Sequence, residues 1–204
     1  MQTRHLFPVA VSRFRVDDAP GLNRVLERRI RKIRKRIPLW KGHERPWQCQ
    51  PDLHLDPEFT PLLAEIRVAV SGHLAHMRFD LDGWDFTGMW ANLLVDGDFH
   101  PPHTHANNLL SGVYYVRSPQ PAATGIRFTN PHKSAISPRL TEFVEHNSDT
   151  WRYPAEEGTG LIFPSWVEHY VPTVVGGDRI SVSWNLMAKG DLGTPESLEF
   201  ARIG

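Results

Sequence analysis

Near residue 84 the pattern of the chain changes, and that change restricts the fold more than any other feature. Upstream, apolar residues recur at helical spacing. Downstream come seven short β-branched and aromatic runs with no helical pattern between them. These are "WDFTGMWANLLV", "LLSGVYYVRS", "TGIRFTNP", "TEFVEHN", "TWRYPAEEGTGLIFPS", "HYVPTVV" and "DRISVSWNLMAK", and Gly, Pro, Asn and Asp punctuate them. Helices first and strands afterwards speak against the alternation that builds a parallel sheet. The prediction is a mainly β protein, an antiparallel sandwich or barrel, with two N-terminal helices packed on an outer face of the larger sheet.

The first helix is expected from about residue 20 to 37. Leu22, Val25, Leu26, Ile30, Ile33 and Ile37 share a side, Asp17 and Asp18 stand near its start, and Pro38 ends it. The second covers about 58 to 78, with a stripe of Phe59, Leu62, Leu63, Ile66, Val70, Leu74 and Met77. His73 and His76 on it read as surface or helix-packing residues. The 204 residues suit one domain, with residues 1–80 as helical support and 84–190 as the β core. Such a length buries a core without crosslinks. Cys49 is the only cysteine, so a disulfide framework and a Cys-based zinc site are excluded. A metal would need histidine, carboxylate or water.

Net charge is zero, yet residues 1–45 hold 13 Lys and Arg against 4 Asp and Glu. The surplus concentrates in "ERRIRKIRKR", residues 27–36. With no nucleic-acid module around it, this run reads as a solvated helix face, able to dock the acidic remainder of the chain. The opening apolar run is short and broken by arginines, and no stretch is long enough to span a bilayer. A soluble cytoplasmic protein without a membrane partner is expected. Oligomeric state is open, a homodimer included.

Two segments carry chemistry. In "GDFHPPHTHANN", residues 97–108, His103 and His105 stand two apart, and in a strand such residues project to the same side. That is what two ligands of one metal require, although alone the pair balances evenly against a polar loop. His100, out of phase and two prolines away, reads as a loop residue. In "GTGLIFPSWVEHYVPTVVGGDRISVSWNL", a Gly-Gly turn separates His169 from a strand with clear parity. Arg179, Ser181, Ser183 and Asn185 face one way; Ile180, Val182, Trp184 and Leu186 face the other. Arginine beside hydroxyls on an otherwise apolar strand suits a recess for a carboxylate. The competing reading is an outer face with Arg179 in an ion pair to Glu142 or Asp178. Trp84, Trp90, Trp151, Trp166 and Trp184 read as core by bulk.

Two close histidines, a third far along the chain and an arginine ten residues after it resemble the 2-oxoglutarate/Fe(II) oxygenases of bacteria and their phages. The likeness rests on "MWANLLVDGDFHPPHTHANNLLSGVYYV", "GIRFTNP" and "GLIFPSWVEHYVPTVVGGDRISVSWNL", with further similarity in "LFPVAVSRF" and "PWQCQPDL". The resemblance implies a double-stranded β-helix. It implies Fe(II) on His103, His105 and His169, with 2-oxoglutarate and O2 as co-substrates, the former held by Arg179 and Ser181. Asn92, Tyr115 or Tyr114, and Asn185 are further candidates for the oxo acid, and Trp90 and Asn107 for the substrate. The implied reaction hydroxylates an unactivated C–H of a small molecule, amino acid or peptide, releasing succinate and CO2.

The usual iron triad has a carboxylate where this chain has His105. A second assignment therefore pairs His105 with Asn107 and leaves His103 outside the ligand set. Gly97 with five residues before His103 also resembles the first cupin motif, but that motif's glutamate is absent. The alternatives are a cupin-like three-His dioxygenase or isomerase without oxoglutarate, and a non-catalytic β-sandwich binding protein. Loops 41–57 and 131–150 are expected to shape the substrate pocket.

Overall fold

The long strand that carries Arg179 is the spine of the molecule. In the computed structural model, which describes residues 1–4, 6–36, 46–132 and 135–204, this strand runs Arg179–Leu192. In chain order the elements are β1 (Ser12–Arg15), α1 (Ala19–Arg36), β2 (Trp47–Gln48), α2 (Thr60–Met77), β3 (Gly83–Leu94), β4 (His100–His103) and β5 (Leu110–Arg117). There follow β6 (Arg127–Thr129), β7 (Thr150–Arg152), β8 (Thr159–Pro164), β9 (His169–Val171), the spine β10, and β11 (Ala201–Ile203). The larger sheet has the order β1-β8-β5-β10-β3-β2, with β11 paired to β10; the smaller has the order β4-β9-β6-β7. Every strand pair is antiparallel. The architecture is a double-stranded β-helix with two helices on the larger sheet.

Parity along β10 divides the molecule as the sequence predicts. Ile180, Val182, Trp184 and Leu186 are buried with Met89, Ala91 and Leu93 of β3 in the layer that receives the helices. Leu26 and Ile30 of α1 and Leu62, Ile66 and Val70 of α2 complete that layer, at the i, i+4 spacing of a helix face. A second cluster, including Val113, Tyr115, Phe128, Leu161 and Phe163, lies between the sheets. The opposite residues of β10 are thus left facing the space between the sheets.

The helices start and stop for local reasons. Asp18 accepts the Gly21 N–H at 3.3 Å at the head of α1. Arg78 adopts a left-handed φ of 57° and closes α2. Asn23 is buried on α1 because its Oδ1 accepts from the Tyr114 hydroxyl at 2.8 Å. His73 is buried rather than superficial, with Nδ1 2.7 Å from Ser12 Oγ, whereas His76 is exposed. The expected positions of Ile37 and Pro38 lie outside the described residues.

Several expectations need correction. "TEFVEHN" forms turns and not a strand: Val144 N–H bonds to Asn147 Oδ1, and Ser148 Oγ donates to Val144 O. Those local side-chain bonds replace a ladder. "TWRYPAEEGTGLIFPS" splits into β7 and β8 around the Pro154–Gly158 turn region. β1 and β2 come from the segment read as helical support and extend the larger sheet at both ends. Of the five tryptophans assigned to the core, Trp184 is fully buried, but Trp166 is 58% exposed and Trp84, Trp90 and Trp151 are only partly buried. The basic run docks in part on acidic partners: Arg31 pairs with Glu27 and Asp178, and Arg29 with Asp56. No helix among the described residues is long and apolar enough to cross a membrane.

Candidate metal centre and anion recess

Antiparallel pairing of β4 with β9 places His103 directly opposite His169. Their ring centroids are 4.4 Å apart. His105 lies just past the end of β4, where its backbone N–H donates to Ser165 O at 2.9 Å. That bond turns the ring back toward the pair, at 5.0 Å from His103 and 5.1 Å from His169. One nitrogen from each histidine lies within 4.8 Å of the others, a spacing suited to a single metal ion. The two rings that strand parity turns to one side do converge, but for a modified reason, since His105 is held by a loop bond.

Two of the rings are oriented by carbonyls. His103 Nδ1 lies 2.7 Å from Pro101 O and His169 Nδ1 lies 2.9 Å from Val167 O. A carbonyl only accepts, so each Nδ1 carries the proton and each Nε2 presents a lone pair. Phe163 packs edge-on to His169 at 4.8 Å. Burial lowers the His169 pKa to about 3 and that of His105 to about 4, so both are neutral at physiological pH, as metal ligation requires.

The triad opens into a cavity of about 230 Å³ whose wall includes Arg179, Ser181, Ser183, Asn92, Trp90 and His100. Arg179 is 2% exposed. Its Nε donates to Thr124 O at 3.0 Å, its Nη1 donates to Ser181 Oγ at 3.0 Å, and its guanidinium lies 5.2 Å from the Tyr115 ring centre. Among the described residues no carboxylate pairs with it. Asp178, a partner considered from sequence, is taken by Arg31 at 2.8 Å. Burial lowers the Arg179 pKa, and the neighbouring Tyr115 opposes that shift. The Tyr115 hydroxyl is itself buried and lacks a hydrogen-bond partner among the described residues.

The remaining candidates fall in different places. Asn92 accepts from Gln48 Nε2 at 2.8 Å and donates to Ser183 Oγ at 3.0 Å, forming a polar wall. Trp90 stands 5.8 Å from His105 at the same cavity. Asn185 is turned toward His105 and Ser111. Asn107 occupies an exposed turn with φ of 60° and is not part of the cavity wall. Tyr114 points to α1, so of the two tyrosines only Tyr115 adjoins Arg179.

His100 is the main residue that sequence reasoning placed wrongly. It is the first residue of β4, lines the cavity, and has a buried Nε2 with no partner among the described residues. Burial, with Arg179 nearby, lowers its pKa to about 3. Counting residues puts it out of phase with His103, but the register shifts between them. Pro101 and Pro102 supply the signal that was available, because consecutive prolines cannot keep a regular ladder. Gln48 was missed as well, since β2 was read as loop.

Residues 88–185 match the family model described as "Putative 2OG-Fe(II) oxygenase". The β core of this chain is thus similar to that family. The span runs from the middle of β3 to Asn185 and includes every residue of the triad and the recess arginine. Among solved structures, a Pseudomonas putida prolyl-4-hydroxylase is similar over 88% of this chain and 93% of its own, at 17% identity and a TM-score of 0.62. HygX from Streptomyces hygroscopicus, solved with nickel and 2-oxoglutarate, covers 96% of this chain and 91% of its own at 12% identity and a TM-score of 0.61. The epimerase SnoN from nogalamycin biosynthesis covers 93% and 83% at 12% identity, with a TM-score of 0.62. At these identities the likeness is one of fold. No curated protein matches the chain.

The donor set fits a ferrous ion. Three imidazoles converge, two of them with Nε2 left free by a carbonyl on Nδ1. Among the described residues the buried Arg179 guanidinium has no carboxylate beside it and the Tyr115 hydroxyl has no hydrogen bond, which fits the anionic end of an oxo acid.

Proposed function

We propose that this chain is an Fe(II)- and 2-oxoglutarate-dependent dioxygenase that hydroxylates a C–H bond of a small molecule or peptide. One observation carries the reading: a buried arginine without a carboxylate partner among the described residues opens onto the same cavity as the three histidines. A buried charge left unpaired is costly, and a dicarboxylate ligand spanning from metal to arginine would relieve that cost.

In this reading His103, His105 and His169 hold the iron, and Arg179 with Ser181 holds the far carboxylate. The bound iron, with O2 and the oxo acid, supplies the oxidation that yields succinate and CO2. The protein's own part is positional. Thr124 O and Ser181 Oγ fix the guanidinium plane, so the carboxylate meets a fork already in place. Phe163 and Val171 line the cavity beside the histidines and exclude water there. Trp90 and the Gln48–Asn92–Ser183 wall form another side, available to the primary substrate.

The test is anaerobic. Adding Fe(II) and then 2-oxoglutarate is expected to give the visible charge-transfer band of the chelate. Arg179→Leu should raise the oxoglutarate Kd by about 100-fold while iron still binds, as a charge-assisted pair is worth roughly 1.5–3 kcal/mol. His169→Ala should remove both. Absence of the band with wild-type protein, or an unchanged Kd in Arg179→Leu, would sink the assignment.

A further inference from the structure

Of the three histidines, His105 stands apart. Among the described residues no backbone carbonyl orients its ring; instead Nδ1 faces the Asn185 carboxamide, 3.4 Å from Nδ2. We propose that Asn185, tethered by Ser111 and Ser165, is the positioning residue that makes His105 a metal ligand, and that it is not a contact of the oxo acid. The proposal rests on the reading of the cavity as a metal centre.

The hydrogen bonds form a closed circuit. Asn185 Oδ1 accepts from Ser111 Oγ at 2.7 Å, and Ser111 Oγ lies 2.8 Å from Ser165 Oγ. Ser165 O then accepts the backbone N–H of His105 at 2.9 Å. The circuit thus leaves the imidazole of residue 105 and returns at its main chain. Ser111 and Ser165 are fully buried and Asn185 nearly so, which leaves no room for solvent to replace these bonds. Asn185 is absent from the cavity wall, as its engaged carboxamide explains.

The side-chain part of the circuit can run in two senses, because a serine hydroxyl donates or accepts; the backbone bond from His105 to Ser165 O is fixed. In one, Asn185 donates to His105 Nδ1; the neutral ring then carries its proton on Nε2 and cannot ligate through that atom. A half-turn of the carboxamide gives the other sense. Oδ1 then accepts from Nδ1–H, Nδ2 donates to Ser111, and His105 Nε2 presents a lone pair like those of His103 and His169. Asn185 would thereby give His105 what Pro101 O and Val167 O give its two partners. A metal ion selects the second sense, and outer partners of this kind commonly contribute about 10–100-fold to metal affinity.

The experiment titrates Co(II) alone, and then 2-oxoglutarate at saturating Co(II), both read from visible absorption without oxygen. Asn185→Ala should weaken Co(II) by about 10–100-fold. Asn185→Asp, which keeps the acceptor, should recover Co(II) affinity to within a few-fold of wild type. Oxoglutarate affinity at saturating Co(II) should stay within about threefold in both. Ser111→Ala removes the tether and not the carboxamide, and should give an intermediate Co(II) loss; it serves if Asn185→Ala does not fold. The proposal fails if Asn185→Ala binds Co(II) like wild type, if Asn185→Asp is as poor as Asn185→Ala, or if the loss falls on oxoglutarate. Wild-type protein that binds no Co(II) would remove the metal centre itself, and this proposal with it.

Discussion

A buried hydroxyl that meets no partner at good hydrogen-bond geometry among the described residues is the sharpest single-residue feature of the cavity region. Tyr115 is fully buried, its oxygen lacks a partner among the described residues, and its ring lies under the Arg179 guanidinium. In the free protein that oxygen is a liability of about 1–3 kcal/mol. A carboxylate brought to Arg179 would give it an acceptor. Tyr115→Phe is therefore expected to leave the free protein as stable as wild type or about 1 kcal/mol more so, read from thermal unfolding. The same change should raise the oxoglutarate Kd about fivefold to tenfold. Lower stability with unchanged affinity would make Tyr115 a packing residue only. Strand parity could point to this tyrosine from sequence, because Ser111, Val113 and Tyr115 share a face. It could not show that the hydroxyl lacks a partner, since that depends on Thr124, Ile126 and Arg179, which are brought together only by the fold.

At the scale of elements, the tight contact is between β5 and β10. Trp184 lies across Gly112, its register partner, and a Cβ added there would stand 2.3 Å from the indole and 2.7 Å from Leu161 O. No shift of a flexible side chain relieves this, because Trp184 is itself held beside Phe14, at 6.2 Å between ring centres. Gly112→Ala should therefore cost about 2–3 kcal/mol in urea unfolding, an overpacking penalty. A loss below about 0.5 kcal/mol would show that the sheet gives way easily. The same strands explain what was legible in the sequence. β3, β5 and β10 are long and alternate or run apolar, so their limits and the inward face of β10 follow from periodicity alone. β1, β2 and β11 are short edge pieces of two to four residues, and so few residues carry no period to read. "TEFVEHN" has the composition of a strand but local Asn and Ser bonds that compete with one. β4 misled in a third way: its prolines shift the register, which brings His100 into the cavity where simple counting turns it away.

Across the whole molecule, the charge asymmetry of the sequence becomes contact between α1 and the rest of the chain. Arg31 reaches Asp178 at the head of β10 and Arg29 reaches Asp56, but these groups are partly exposed and contribute little to stability. Buried histidines matter more. Burial lowers the pKa of His73, of His100 to about 3 and of His169 to about 3, against about 6.5 in an unfolded chain. Between those limits the unfolded chain binds protons that the folded chain does not, so stability falls as pH falls. The loss begins near pH 6.5 and continues toward pH 3. Two carboxylates add to the loss only at the acid end: Lys189 lowers the Asp85 pKa and Arg202 lowers that of Asp191, and the stability each contributes is lost only below the ordinary carboxylate range. For His169 alone the change from pH 6.5 to 5 is about 2 kcal/mol. The metal-free protein should then show a level Tm above about pH 7 and a fall of roughly 5 °C or more by pH 5. Saturating Co(II) at neutral pH should raise Tm, because the ion binds only the folded, deprotonated triad, and that increment should shrink as protons compete for the histidines. A Tm of the metal-free protein that stays flat from pH 7.5 to 5 would mean that the buried rings accept protons without cost, and the neutral state of His100 and His169 would have to be abandoned.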